Sequence, residues 1–218
     1  NWYRLPEVTA PEDLLDERER AKDRARLLLD RYGLLFRELL HGELPPNQWP
    51  GIFRALRIME LSGEVLTGHF FDGIPGLQFI AHPAFRQLQR ALPTKAVWWV
   101  NACDPASPCG LSLDGLRGQF PKRLPGNALV FRGTDLVATV QRAGKELYFL
   151  MPPDDPSLPE YLAPLHNLLA RQFHPVLHLT VESINGEEPR NSPYLDALTL
   201  VFDVVHNYNK LFLSNRLR

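Results

Sequence analysis

Several of the features that would assign this chain a chemistry are missing. It has only two cysteines among 218 residues, Cys103 and Cys109. Their CDPASPC spacing could close a small loop. Nothing else in the chain points to secretion, so free thiols are expected, and a two-cysteine metal site would need further ligands that the neighbouring sequence does not supply. No signal peptide opens the chain, and no apolar run reaches the roughly 20 residues that a membrane helix needs. A cytoplasmic location with no membrane partner is therefore expected. The opening at Asn1 rather than Met is what a piece of a longer protein would show. Neither sign of charge dominates: the formal net charge is −1. The whole chain thus does not advertise a polyanion partner, and any nucleic-acid site must come from a local patch. Phosphate-loop GxxxxGK[ST] and dinucleotide GxGxxG patterns are absent, so ATP hydrolysis by these residues is not expected. Neither a GxSxG elbow nor an HExxH pair occurs. His174 and His178 stand four apart with His166 upstream, a spacing that shares one face of a strand. No third ligand of the right type is placed with them, so they read as surface histidines and no metal or cofactor is expected.

What is present is the composition of a globular protein, 44% apolar and 22% charged, long enough for one large domain or two small ones. The 20 prolines fall mostly in connections such as Pro45-Pro46, Pro105, Pro108, Pro152-Pro153 and Pro156, which suggests short elements joined by irregular linkers. Residues 12–32 read as a charged amphipathic helix with Leu14, Leu15, Ala21, Ala25, Leu28, Leu29 and Tyr32 near one stripe, stopped by Gly33. A second short helix is expected over Leu34–His41. A third spans Gln48–Leu61, with Asn47 able to cap it, Pro50 in its first turn, and Ile52, Phe53, Leu56, Met59 and Leu61 packing inward. Arg54 and Arg57 would face outward together. Glu64–Phe71 and Leu77–His82 then make a hairpin around Asp72-Gly73-Ile74-Pro75-Gly76, and Pro83–Leu92 a closing helix. Three helices followed by a hairpin is the order of a winged helix, in which the third helix can enter a major groove while the wing reaches the backbone. A protein-binding or spacer role for the same architecture is the alternative.

After Pro93 the texture changes. KAVWWVNAC (95–103) reads as a buried strand, with Trp98-Trp99 as a core residue beside an interface residue. A Pro- and Gly-rich loop precedes a meander over Ala128–Arg132, Leu136–Arg142 and Lys145–Met151. An acidic linker, a leucine-faced helix over Tyr161–Phe173, an alternating strand over Val176–Ser183, a helix over Ser192–Val204 and a short strand at Leu211–Ser214 follow. The expectation is an α+β fold: an N-terminal helix and winged helix over residues 1–92, then a small β-rich, barrel-like domain with two or three helices over residues 93–218.

Positional charge is the most informative functional signal. Between residues 117 and 145 stand Arg117, Lys122, Arg123, Arg132, Arg142 and Lys145 against Asp135 alone, and Lys210, Arg216 and Arg218 follow with no acid after Asp203. With Arg54 and Arg57 on the same side, the two halves would share one basic surface whose phosphate contacts give affinity without sequence readout. Trp98, Trp99, Phe120 and Phe131 lie among these charges and could stack unpaired bases. Gln78, on the wing strand, could probe a base, although a sheet-face position is its default.

Several segments resemble one known family. SGEVLTGHFFDGIPGLQF (62–79) is similar to the winged-helix segment of the bacterial Lhr (large helicase-related) proteins, and CDPASPCGL (103–111) to their DPANPYG element. LVATVQRAGKELYFL (136–150) and LTVESINGEEPRNSPYLDAL (179–198) resemble later segments in the same order. Cys103 and Cys109 depart from the commoner residues, and the last fifteen positions diverge. The resemblance implies a winged helix and a β-barrel-like module outside the RecA-type motor lobes of a superfamily 2 DNA-repair helicase. Its partners would be single-stranded or forked DNA, or RNA, and motor lobes in the same or another chain. It also implies an alternative. AlkZ-type glycosylases share this arrangement, and uracil-DNA glycosylase activity accompanies the C-terminal region of some Lhr proteins. That chemistry needs a carboxylate beside a pocket for an extruded base, for which Asp203 and Asp196 are the candidates. A third expectation is an oligomerisation or docking role, in which the leucine-rich helix 161–173 and residues 96–99 bury against another subunit.

Overall fold

A computed structural model describes residues 14–90, 93–172 and 176–216. The fold is α+β, and it divides into two compact units: residues 1–91 with 111–115, and residues 92–110 with 116–218. His174 of the expected histidine group lies outside the described residues, and His166 and His178 pack against the rings of Phe202 and Phe212.

In the first unit, α1 (Leu14–Tyr32) buries Ala25, Leu28 and Leu29, while Leu14 and Leu15 stay exposed because its first turns extend past the packed side chains. Its charged face is laced by Lys22–Glu19 and Arg26–Asp23 ion pairs one turn apart. Gly33, at φ +73°, ends the helix by donating to the Leu29 carbonyl. The expected second helix is absent. Leu34–Leu35 instead forms strand β1, and two 3-10 turns follow at Leu39–Gly42 and Pro45–Asn47. The left-handed turn at Gly33 sends Leu34 and Leu35 alongside Ile80 and Phe79, and Pro45-Pro46 cannot continue a helix.

Helix α2 (Trp49–Leu61) begins with Pro50 in its first turn and buries Ile52, Ala55, Leu56 and Met59. Asn47 does not cap it. The flanking residue is Gln48, whose Nε2 donates to the Glu43 carbonyl. Leu61 is exposed rather than packed, because it lies at the last position before the Ser62-Gly63 stop. Gly51 is required for a close approach: a Cβ there would stand 2.6 Å from the Pro46 carbonyl oxygen. Strands β2 (Val65–Gly68) and β3 (Gln78–Ala81) form the antiparallel wing, β1 adds to the outer edge of β3, and α3 (His82–Leu88) closes the unit. Helices, sheet and wing share one core around Phe79, Leu28, Leu35 and Leu56.

The second unit holds two sheets. β4 (Val97–Asn101), β5 (Ala128–Arg132), β6 (Asp135–Gln141) and β7 (Glu146–Phe149) form an antiparallel meander, to which β9 (Ser183–Ile184) adds in parallel. β8 (Leu179–Val181), β10 (Phe202–Asn207) and β11 (Lys210–Asn215) make a second sheet in the order β10-β11-β8. One core takes side chains from both sheets and from α4 (Leu158–Tyr161), α5 (Ala163–Ala170) and α6 (Leu195–Val201). Along β5 the alternation is clear. Ala128 and Val130 enter this core, whereas Leu129 and Phe131 enter a smaller cluster on the opposite face with Ala102 and Cys109. Among the described residues neither sheet closes into a barrel, so the barrel-like expectation is corrected to an open two-sheet arrangement.

Four further expectations are corrected. Trp98 and Trp99 are exposed rather than buried, because β4 is an edge strand. The helix expected over 161–173 is two shorter ones broken at Leu162, with Pro164 in the first turn of the second, and Phe173 lies outside the described residues. The alternating strand expected over 176–183 contracts to β8: Leu179 and Val181 are buried, while Leu177 is exposed. The helix expected to reach Val204 stops at Val201, and Phe202 opens β10, where Val204 and Val205 pair with Leu213 and Phe212.

Candidate nucleic-acid interface

Arg54 and Arg57 are exposed on α2, three residues apart and opposite its buried stripe. Arg57 pairs with Glu60 one turn on, which moderates its field, and Arg54 is exposed with no ion pair among the described residues. The wing next to them is not cationic: residues 62–79 contain no Lys or Arg and two acids, Glu64 and Asp72. Glu64 is taken up by Arg26, whose Nε lies 2.6 Å from its carboxylate, and hydrogen bonding from this guanidinium holds the Glu64 carboxyl below the usual range.

Gln78 is not presented on the wing surface. Its side chain is wholly buried. Oε1 accepts from the Phe70 and Phe71 amides at 3.0 Å each, and Nε2 donates to the Phe71 carbonyl at 2.9 Å. It replaces the ladder bonds that the wing loop cannot make, and so shapes the wing from inside. On the other side of the wing tip, Arg37, Glu38, Trp49, Phe53 and Leu77 line a cleft of about 400 Å³. Glu38 Oε2 is buried there with no hydrogen-bond partner among the described residues.

In the second unit, the basic run sorts into exposed and structural cations. Arg117 and Lys122 are exposed. Arg123 braces the CDPASPC loop by donating to the carbonyls of Cys109 and Cys103 at 3.2 Å, and its fork is committed to backbone. Arg132 meets Asp155 at 2.9 Å and the Tyr161 hydroxyl at 3.1 Å, with the Asp155 side chain only 5% exposed. A guanidinium so engaged would leave a buried carboxylate unpaired if it turned to a phosphate. Lys210 bonds Glu182 at 3.0 Å, and Arg142 and Lys145 approach the same carboxylate at 3.5 Å. The Lys210 hydrogen bond, aided by the neighbouring cations, lowers the Glu182 carboxyl from its ordinary range. Three cations around one carboxylate leave this surface positive, although Glu146 also pairs with Arg142.

The two candidate acids lie apart from any described cavity. Asp196 is exposed in the first turn of α6, where its carbonyl accepts from Thr199. Asp203 is exposed on β10 opposite Ser214, a strand position and not the helical one expected. Both carboxylates are exposed to solvent.

Residues 15–100 match the family model for the winged-helix domain of the large helicase-related (Lhr) protein. These residues, most of the first unit, are thus similar to an Lhr winged helix. The chain is also 28% identical over 194 residues to the Lhr helicase/uracil glycosylase of Escherichia coli (strain K12), which covers 84% of this chain and 12% of that protein. It is 27% identical over 156 residues to the Lhr helicase/probable uracil glycosylase of Mycolicibacterium smegmatis, 67% of this chain and 10% of that protein. The chain thus spans about a tenth of the length of these Lhr relatives. The sequence did not signal the wing-side cleft at Glu38, because its lining comes from three separated segments.

Proposed function

We propose that this chain is a nucleic-acid-binding accessory module of an Lhr-type helicase, gripping single-stranded or forked DNA for RecA-type motor lobes that lie outside these residues. The observation that carries this reading is the exposed pair Arg54 and Arg57 on α2, the helix that precedes the wing, with Lys122 and Arg117 exposed in the second unit. Phosphate contacts of this kind supply affinity independent of sequence. Arg123 and Arg132 leave the proposed contact set because their donors are committed within the fold. Lys210 stays in it as an exposed member of a cation cluster around Glu182. The test is titration of the chain against labelled single-stranded, forked and duplex DNA, and single-stranded RNA, at low salt. Single-stranded and forked DNA are expected to bind more tightly than blunt duplex. Equal affinity for all forms, or none, would remove the grip on unpaired strands.

Uracil excision is the second reading, favoured by the names of both relatives, one of them matched over 84% of this chain. Incubation with uracil-containing DNA followed by cleavage at abasic sites tests it. Asp196→Asn and Asp203→Asn are expected to leave any such activity unchanged, given their exposed positions.

A further inference from the structure

The second unit carries an apolar cleft that the reading above leaves unused. It encloses about 460 Å³ and is walled by Trp98, Phe131, Phe120, Pro93 and Pro108, with Thr134 at the turn between β5 and β6. Its defining member is Trp98. Trp98 and Phe131 face one another across the β4–β5 register, and their rings stack with centroids 4.5 Å apart and planes 13° from parallel. The indole Nε1 donates to the Gly133 carbonyl at 2.8 Å. One face of the indole is therefore supported, its polar edge is satisfied, and the residue is still 46% exposed. An exposed tryptophan on an edge strand would ordinarily lose entropy on capturing a ligand. Here the stack and the hydrogen bond have already fixed the ring.

The chemistry of the cleft selects its occupant. Its walls are flat or apolar, and with the indole N–H engaged, Thr134 supplies the remaining polar side chain. A planar, uncharged π-system suits such walls, and because Trp98 is half exposed the polar edge of a stacked ring stays in water. The surroundings select for a phosphate-bearing chain. Exposed Lys95 and Lys122 stand one and two positions from the lining residues Ala96 and Phe120, against Asp135 beside Thr134. We propose that Trp98 is a stacking platform for an unpaired nucleobase, which enters this cleft while its backbone runs past the neighbouring lysines. The inference rests on the nucleic-acid reading and adds to it a site that acts on bases rather than phosphates. With so little polar lining, the site takes any base. It excludes a base held inside a duplex stack.

The test uses the full chain and two oligonucleotides of equal length and charge, oligo(dT) and the same strand with a central tract of abasic sugars, followed by fluorescence anisotropy. Wild type is expected to bind oligo(dT) roughly tenfold or more tightly than the abasic strand. Trp98→Leu, which keeps an apolar cover over Phe131, is expected to lose that preference and to bind both strands as wild type binds the abasic one. Trp98→Phe is expected to retain most of it, and Trp99→Leu, on the opposite face of the strand, all of it. Circular dichroism melts confirm that each variant is folded. An unaltered preference in folded Trp98→Leu overturns the proposal and leaves the nucleic-acid reading standing. Equal affinity of wild type for both strands also overturns it, and points instead to an apolar side chain of a protein partner in the cleft. Failure of wild type to bind either strand overturns both readings together.

Discussion

At the scale of single residues, the polar groups that looked functional in sequence divide by what they already hold. Gln78 has the composition of a base-reading residue and the environment of a structural one, since its amide closes three backbone bonds in the interior of the wing. Removing a buried group that satisfies several others leaves each of them unpaired. Gln78→Ala is therefore expected to destabilise the fold by about 2 kcal/mol or more, read as a lowered denaturation midpoint, and to weaken DNA binding only through loss of the wing shape. The two thiols are separated by burial. Cys103 is exposed and Cys109 is buried, and burial is the main force raising the Cys109 thiol above its ordinary value, opposed by the Ser107 hydroxyl and Arg123. A raised thiol keeps its proton longer in the folded chain than in the unfolded one. Its contribution to stability is complete below the ordinary thiol value of about 8.5 and is lost as pH rises from there through the raised folded value. Cys109→Ala is expected to flatten the fall of stability above that pH, and iodoacetamide at pH 8 to label Cys103 while sparing Cys109. Equal labelling of both thiols in the folded chain would contradict this placement.

At the scale of elements, the turn at Gly133-Thr134 links β5 to β6 and also positions the carbonyl that holds Trp98. Gly133 has φ +61°, and a Cβ there would stand 2.8 Å from the Thr94 carbonyl oxygen. Gly133→Ala is expected to cost roughly 1–3 kcal/mol and to reduce the discrimination between intact and abasic strands, checked by urea denaturation and by the same anisotropy assay. The elements that were legible in sequence were those with a strong period or a strong stop. α1 ends at Gly33, α2 carries its apolar stripe and Ser62-Gly63 stop, and the meander carries its glycine turns. The elements that misread were decided by partners distant in the chain. Leu34-Leu35 became a strand because β3 offered Ile80 and Phe79. Phe202–Asn207 became a strand because β11 returned beside it. The same reason hid part of the site: that Arg123 would brace a loop and Arg132 meet Asp155 depends on contacts 14 to 23 positions away. The exposure of Arg54 and Arg57 followed from the helical period alone.

At the scale of the whole molecule, a formal charge of −1 means that nucleic-acid affinity must come from local groups that survive the internal pairing just described. Each unit retains exposed cations, on α2 in the first and at Lys122 and around Glu182 in the second. The leucine face expected to meet another subunit is occupied internally, since Leu162, Leu165 and Leu169 lie in the core of the second unit. The most direct measurement is the affinity of the chain for a labelled single strand across a series of salt concentrations, for wild type and for the double charge reversal Arg54→Glu with Arg57→Glu. Wild type should bind at low salt with log affinity falling linearly against log salt. The double variant should bind more weakly and with a slope shallower by about 1.4, from roughly 0.7 per cation on single strands. Affinity and slope unchanged by the double reversal would contradict the claim that α2 carries a phosphate grip.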